Sequence, residues 1–190
     1  MDEKPSPVRC CEMKSKVGLK SILILVAICL VISAALAVVN HFTAPVIAAA
    51  AAEREDQSRR DVLPQAEQFE PCTLEGLPES ITAAYKGLDG AGQVVGYVFT
   101  AKGRGFDGDI TVMAAIDPAG TIVAVATIDV TSETKTLGGL TANESYTSQY
   151  KGQDESLSGV DAISGATITS TAYEGCIRDC FTAFSLVKEG

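Results

Sequence analysis

Asp109-Ile110-Thr111-Val112-Met113-Ala114-Ala115-Ile116-Asp117-Pro118-Ala119-Gly120-Thr121-Ile122-Val123-Ala124-Val125-Ala126-Thr127-Ile128-Asp129-Val130 reads as two strands and the turn between them. Ile110, Val112 and Ala114 alternate with Thr111 and Met113, which sends the two sets to opposite faces of a strand. Asp117-Pro118-Ala119-Gly120 is a turn, because proline presets φ and glycine tolerates positive φ. In Thr121–Val130 the same alternation puts Ile122, Ala124, Ala126 and Ile128 on one face. Upstream, Gly92–Ala101 contains Val94-Val95-Gly96-Tyr97-Val98-Phe99, β-branched and aromatic enough for a third strand. The strand pattern begins at Ile81. Connections this short permit antiparallel pairing only, since parallel neighbours need a crossover of about a dozen residues. A helical pattern returns at Asn143–Tyr150 and again from Thr171 to Val187. The expected class is α+β, an antiparallel sheet backed by helices.

The rest of the 190 residues is of different material. Charge totals 24 acidic against 15 basic residues, net −9, yet 46% of the chain is hydrophobic and mean hydropathy is +0.20. The two properties separate along the chain. Residues 1–20 carry five basic and three acidic groups, residues 21–52 carry none, and the acidic excess lies beyond. Such an acidic main domain excludes a nucleic-acid binder, which needs Lys and Arg against phosphates.

From Leu19 to Val39 the chain supplies about the 20 apolar residues that cross a bilayer, without the polar face of a soluble helix. Ala35-Leu36-Ala37 resembles the cleavage site of a secretion signal, but the apolar run exceeds the usual length of about 7–15 residues. An uncleaved anchor is the reading that follows. Lys4, Arg9, Lys14, Lys16 and Lys20 precede the span, and Arg54 is the one basic residue in 41–58. The positive-inside rule then leaves the N-terminus in the cytoplasm and the main domain outside. Pro45 predicts a bend or a fresh helix start. Ala48–Ala52 and the charged stretch to Val62 favour helix, with Pro64 ending it. The expected organisation is a cytoplasmic tail (1–18), a transmembrane helix (19–40), a helical stalk (41–64) and an extracytoplasmic domain (65–190).

Six cysteines fall as Cys10 and Cys11 inside, Cys29 in the membrane, and Cys72, Cys176 and Cys180 outside. Three outside is odd, so a disulfide-built scaffold does not follow. Cys176 and Cys180 share a helix face and read as packed thiols. His41, the single histidine, lies at the membrane edge.

Two glycine-bearing stretches invite a nucleotide reading. Gly103-Arg104-Gly105-Phe106-Asp107-Gly108 matches GxGxxG, but a dinucleotide fingerprint must open a helix, and a strand follows here. These glycines are expected to form a hairpin loop with positive φ. Asp161-Ala162-Ile163-Ser164-Gly165-Ala166-Thr167-Ile168-Thr169-Ser170 is different. It precedes the C-terminal helix, small residues let backbone amides approach a ligand, and a helix start favours an anion such as phosphate. The plainer alternative is that Thr169 or Ser170 caps the helix.

Ser164-Gly165-Ala166-Thr167-Ile168-Thr169, with Asp161 three residues ahead, resembles the flavinylation motif of FMN-binding domains. Five such identities arise by chance on the order of 10⁻⁶ per window. Gly105–Met113 resembles that family's glycine loop and following strand, and Ser132-Glu133-Thr134 with Leu137-Gly138 resembles its flavin-ring loop. The similarity runs from about Gly96 onward and extends to the G subunits of Rnf-type ferredoxin:NAD⁺ oxidoreductase complexes. Thr131 departs from a usual histidine, and Lys135-Thr136 from a usual Pro-Gly. The resemblance implies FMN joined covalently through its phosphate to Thr169. It implies Ser164, Gly165, Ala166 and Thr167 around the phosphate, and Glu133, Thr134, Leu137 and Gly138 near the isoalloxazine ring. Lys151 reads as solvated. No metal site and no catalytic residues are expected. The implied role is an electron-carrier subunit of a membrane-bound, ion-translocating oxidoreductase, without turnover of its own. The implied partners are integral-membrane and peripheral subunits, and a flavin transferase that uses FAD. A stand-alone anchored flavoprotein and a non-redox binding module are the alternatives.

Overall fold

The computed structural model describes residues 19–73 and 76–189. The expected cytoplasmic tail, with Cys10 and Cys11, lies outside the described residues. The first element, α1 (Leu19–Val62), is the one helix among the described residues long and apolar enough to cross a membrane. It is continuous through Pro45, where the sequence predicts a bend or restart. Proline's φ of about −65° is itself helical, so its cost is one lost hydrogen bond and crowding of a preceding carbonyl. The alanine run beyond it favours helix enough to carry the element onward.

Residues 51–190 form the compact unit that carries the sheet. Five strands, β1 (Gln68–Pro71), β2 (Ile81–Leu88), β3 (Val94–Arg104), β4 (Asp109–Ile116) and β5 (Ile122–Asp129), pair antiparallel in sequence order. The meander read from the sequence is β3–β5, and β1 and β2 extend it. β1 escapes a pattern search because four residues, Gln-Phe-Glu-Pro, leave no alternation to detect. Helix α2 (Glu144–Thr147) lies between two short 3₁₀ segments, and α3 (Thr167–Glu189) closes the chain.

Helix α3 packs one face on the sheet. Tyr173, Cys176, Ile177, Cys180, Phe181 and Phe184 recur at helical spacing and are all buried. They meet Phe99, Ala101, Ile110, Val112, Ala114 and Ile116. On the opposite face Val62 and Leu63 pack with Val98, Met113 and Ala115. Leu63 occupies room left by Gly87 and Gly96, where a Cβ would meet its methyl carbons at 2.5 and 3.1 Å.

β5 departs from simple alternation. Ile116 pairs with Ile122 but Ala115 pairs with Ala124, so Val123 is the extra residue of a bulge. Ile122 therefore belongs to the α3 side, while Ala124, Ala126 and Ile128 belong to the other. A second shift follows between Thr111 and Val112. Thr127, two residues after Val125 and paired with Val112, stays on the α3 side, where its hydroxyl lies 3.2 Å from Tyr173 Oη.

Candidate functional site

The helix that closes the chain starts four residues earlier than its sequence pattern suggests, and that decides the chemistry of Asp161–Ser170. Gly165 takes φ +81°, and the Ala166 N–H donates to Ile163 O at 3.0 Å, which turns the chain sharply. The Ser170 N–H then donates to Ala166 O at 2.9 Å, the first bond of α3. Ala166 is thus the N-cap and offers no side-chain acceptor. Capping by Thr169 or Ser170 is overturned, because both lie inside the first turn. Ser170 Oγ accepts the N–H of Ile163 at 3.1 Å and braces the preceding loop. Thr169 Oγ1 donates to Glu133 Oε2 at 3.0 Å. Among the described residues nothing accepts the N–H groups of Thr167, Ile168 and Thr169. Three free amides and the positive end of a 23-residue helix thus lie together.

The loop after β5 supplies the opposite wall. Asp129 Oδ1 accepts the amide and hydroxyl of Thr131 at 2.9 and 2.8 Å, and these bonds hold its carboxyl below the usual range. Thr131 is thus structural at the loop's entrance, while Lys135 and Thr136 are exposed. Thr134 O accepts the amides of Leu137 and Gly139 at 3.0 and 2.9 Å, and Thr141 Oγ1 donates to Gly138 O at 2.8 Å. The turn brings Glu133 inward, where it is 6% exposed. Its Oε1 accepts the Asp107 N–H at 3.0 Å, and its Oε2 holds Thr169.

This arrangement explains the glycines of the β3–β4 hairpin. None of Gly103, Gly105 and Gly108 has positive φ, so the conformational reason expected for them is wrong. The reason is space. A Cβ at Gly105 would collide with Glu133 Oε1, one at Gly138 with Glu133 Oε2, and one at Gly108 with Ser132. A Cβ at Gly103 would stand 2.6 Å from Cys176 Sγ.

Helix start, loop and hairpin enclose a cavity of about 350 Å³, within the usual range for small-ligand sites. Gly165, Ala166, Thr167, Thr169, Glu133, Thr134, Leu137 and Gly138 line it, together with Phe106 and Ile168. Ser164 is exposed and outside the lining, as is Lys151. Sequence reasoning misses Phe106 and Ile168 as site residues, although they lie within Gly103–Gly108 and Asp161–Ser170. Their signal is a large apolar side chain flanked by small or polar residues in a loop. Phe106, Ile168 and Leu137 are 70%, 57% and 43% exposed, an apolar rim left open to solvent. Beside it, Arg104 shares a shallow cleft with Thr167, Ile168 and Thr171. Arg104 and Lys102 both pair with Asp109, at 3.2 and 3.0 Å, and hold its carboxyl below the usual range, Lys102 chiefly.

The free amides suit a phosphate, the apolar rim suits a planar aromatic system, and a hydroxyl lies at the floor. The residues present therefore fit FMN.

Comparison with known proteins agrees. The FMN-binding domain family matches residues 105–182. The G subunit of the ion-translocating oxidoreductase complex of Methanosarcina acetivorans is 34% identical over 168 residues, covering 83% of this chain and 89% of that protein. The chain belongs to the family of G subunits of ion-translocating oxidoreductase complexes. The G subunit of a sodium-translocating ferredoxin:NAD⁺ oxidoreductase complex from Acetobacterium woodii is 31% identical, covering 83% of this chain and 86% of that protein. A proton-translocating counterpart from Clostridium ljungdahlii is 26% identical, covering 80% and 83%. Membership of this family, with its FMN-binding domain, makes the chain a membrane-anchored electron-transfer flavoprotein subunit of a redox complex.

Proposed function

We propose that the chain carries FMN on a phosphoester at Thr169 and relays electrons within an Rnf-type complex that passes them from ferredoxin to NAD⁺ and moves ions. The observation that carries this reading is the Thr169 hydroxyl. It lines the cavity beside three free helix amides, held by one hydrogen bond to a buried carboxylate. FMN supplies reversible one- and two-electron chemistry when bound. The protein's own part is to bind, orient and shield. The free amides of Thr167–Thr169 would hold the phosphate, Phe106, Leu137 and Ile168 would cover the ring, and the loop of Glu133–Gly138 would form the facing wall. No residue of the site is asked to turn over a substrate.

Two further elements belong to the reading. The basic flank before α1 favours a cytoplasmic N-terminus and an extracytoplasmic site. There a covalent tether keeps occupancy independent of free FMN concentration. Attachment then requires a flavin transferase with FAD as donor, because a free phosphate monoester has no comparable leaving group. Integral-membrane and peripheral subunits are the expected neighbours.

The test is denaturing electrophoresis under ultraviolet light, with protein from cells that contain the transferase. A fluorescent band that vanishes in Thr169→Ala supports the reading, and a dark wild-type band defeats it. Co-purification with multispanning subunits supports the complex, and isolation as a lone flavoprotein defeats that part.

A further inference from the structure

We infer that Glu133 is the proton acceptor for the ester bond made at Thr169. This rests on the attachment proposed above and assigns a residue of this chain to the chemistry. Thr169 is 1% exposed and Glu133 6% exposed, so bulk water is a poor base for this hydroxyl. Thr169 Oγ1 lies 3.0 Å from Glu133 Oε2, inside the distance over which a general base acts. The carboxylate is itself fixed. Asp107 N–H holds Oε1, and Gly105 and Gly138 close over the two oxygens with no room for a Cβ at either position. A carboxylate so enclosed, with one oxygen on a backbone amide and the other on a single hydroxyl, is built for that hydroxyl.

The balance is simple. Thr169 Oγ1 attacks the FMN-side phosphorus of a flavin dinucleotide, FAD. The Oγ1–P bond forms, the P–O bond to the adenylate breaks, and AMP leaves with the electron pair. The Thr169 proton passes to Glu133, and nothing is oxidised or reduced.

The experiment uses the full chain in detergent, with FAD, magnesium and a purified flavin transferase, and follows attachment by intact mass against time. Glu133→Gln is isosteric and can still accept from Asp107 and meet Thr169, so the fold is expected to hold, as thermal melting will show. Its attachment rate is expected to fall about 100-fold, the usual scale of general-base catalysis. Glu133→Asp, which keeps a carboxylate but retracts it, is expected to retain more activity than Glu133→Gln. Added formate is expected to restore part of the rate in Glu133→Ala, which a purely structural role would not allow. A wild-type rate in Glu133→Gln overturns the inference, as does a slow Glu133→Ala that formate leaves unchanged. Wild-type protein that gains no flavin mass overturns the attachment itself, a separate outcome.

Discussion

Gly103–Gly108 and Asp161–Ser170 both look like nucleotide-binding sequence, and they take their places in the site by opposite means. The second contributes chemistry directly: free amides, a hydroxyl and the positive end of a long helix. The first contributes absence. Gly105 gives up volume to a carboxylate, Asp107 gives one backbone N–H, and Phe106 gives an exposed aromatic rim. The hairpin is a false dinucleotide fingerprint and still part of the same cavity. A motif's residues can matter for reasons unrelated to the motif, and glycine matters here for space rather than for φ.

The largest effect should separate the two stretches outright. Thr169→Ala abolishes covalent flavin, read as loss of in-gel fluorescence, while no single side-chain truncation in 103–108 does so. If Phe106→Ala abolished attachment as completely, the distinction between chemistry and shape would break.

Next in size is the contact between hairpin and helix. Burial pushes the Cys176 thiol up to about 11 from 9.0. Below pH 9 the thiol is protonated whether folded or unfolded, and its contribution is constant. Above pH 9 the unfolded thiol ionises while the folded one resists, so stability falls between pH 9 and 11, by about 2–3 kcal/mol in all. Urea unfolding across that range should show the loss, and Cys176→Ala should show a shallower one.

The glycines themselves follow. Gly105→Ala forces a methyl onto Glu133 and is expected to cost about 1–3 kcal/mol, the usual scale of overpacking. Gly165→Ala has φ +81° to contend with and should cost about 1–2 kcal/mol through backbone strain. Calorimetric melting checks both. A slowed attachment rate in Gly105→Ala and Gly138→Ala, beyond any change in melting, would tie the lost space to Glu133.

The smallest effect is the sharpest discriminator. Asp107 is exposed and only its amide reaches Glu133. Asp107→Ala should therefore change stability by less than about 0.5 kcal/mol. Asp107→Pro removes the donor and should cost more, which paired melts will show.

Much of this is legible in the residues alone. The alternation of β4 gives its bounds and its two faces as observed, because a central strand packed on both sides alternates cleanly. The class and the apolar span are readable in the same way, each from a local pattern of consecutive residues. The β5 face is not, because a bulge is a property of pairing with β4 and leaves no mark in an alternating sequence. The start of α3 is misplaced by its pattern as well. Thr167-Ile168-Thr169-Ser170 has weak helix preference, and the turn at Gly165 that launches the helix is a matter of backbone geometry.

The sequence by itself determined that an apolar helix precedes an antiparallel α+β domain, and that a small-residue hydroxyl motif stands at its last helix. Hydropathy, alternation and turn chemistry are local, and each can be read within a dozen residues. Only the tertiary structure decided that Glu133 lies against Thr169, 36 residues away, with Gly105 and Gly138 closing over it. That juxtaposition depends on how the meander stacks under α3, and packing of distant segments is a matter of volume that no single stretch encodes.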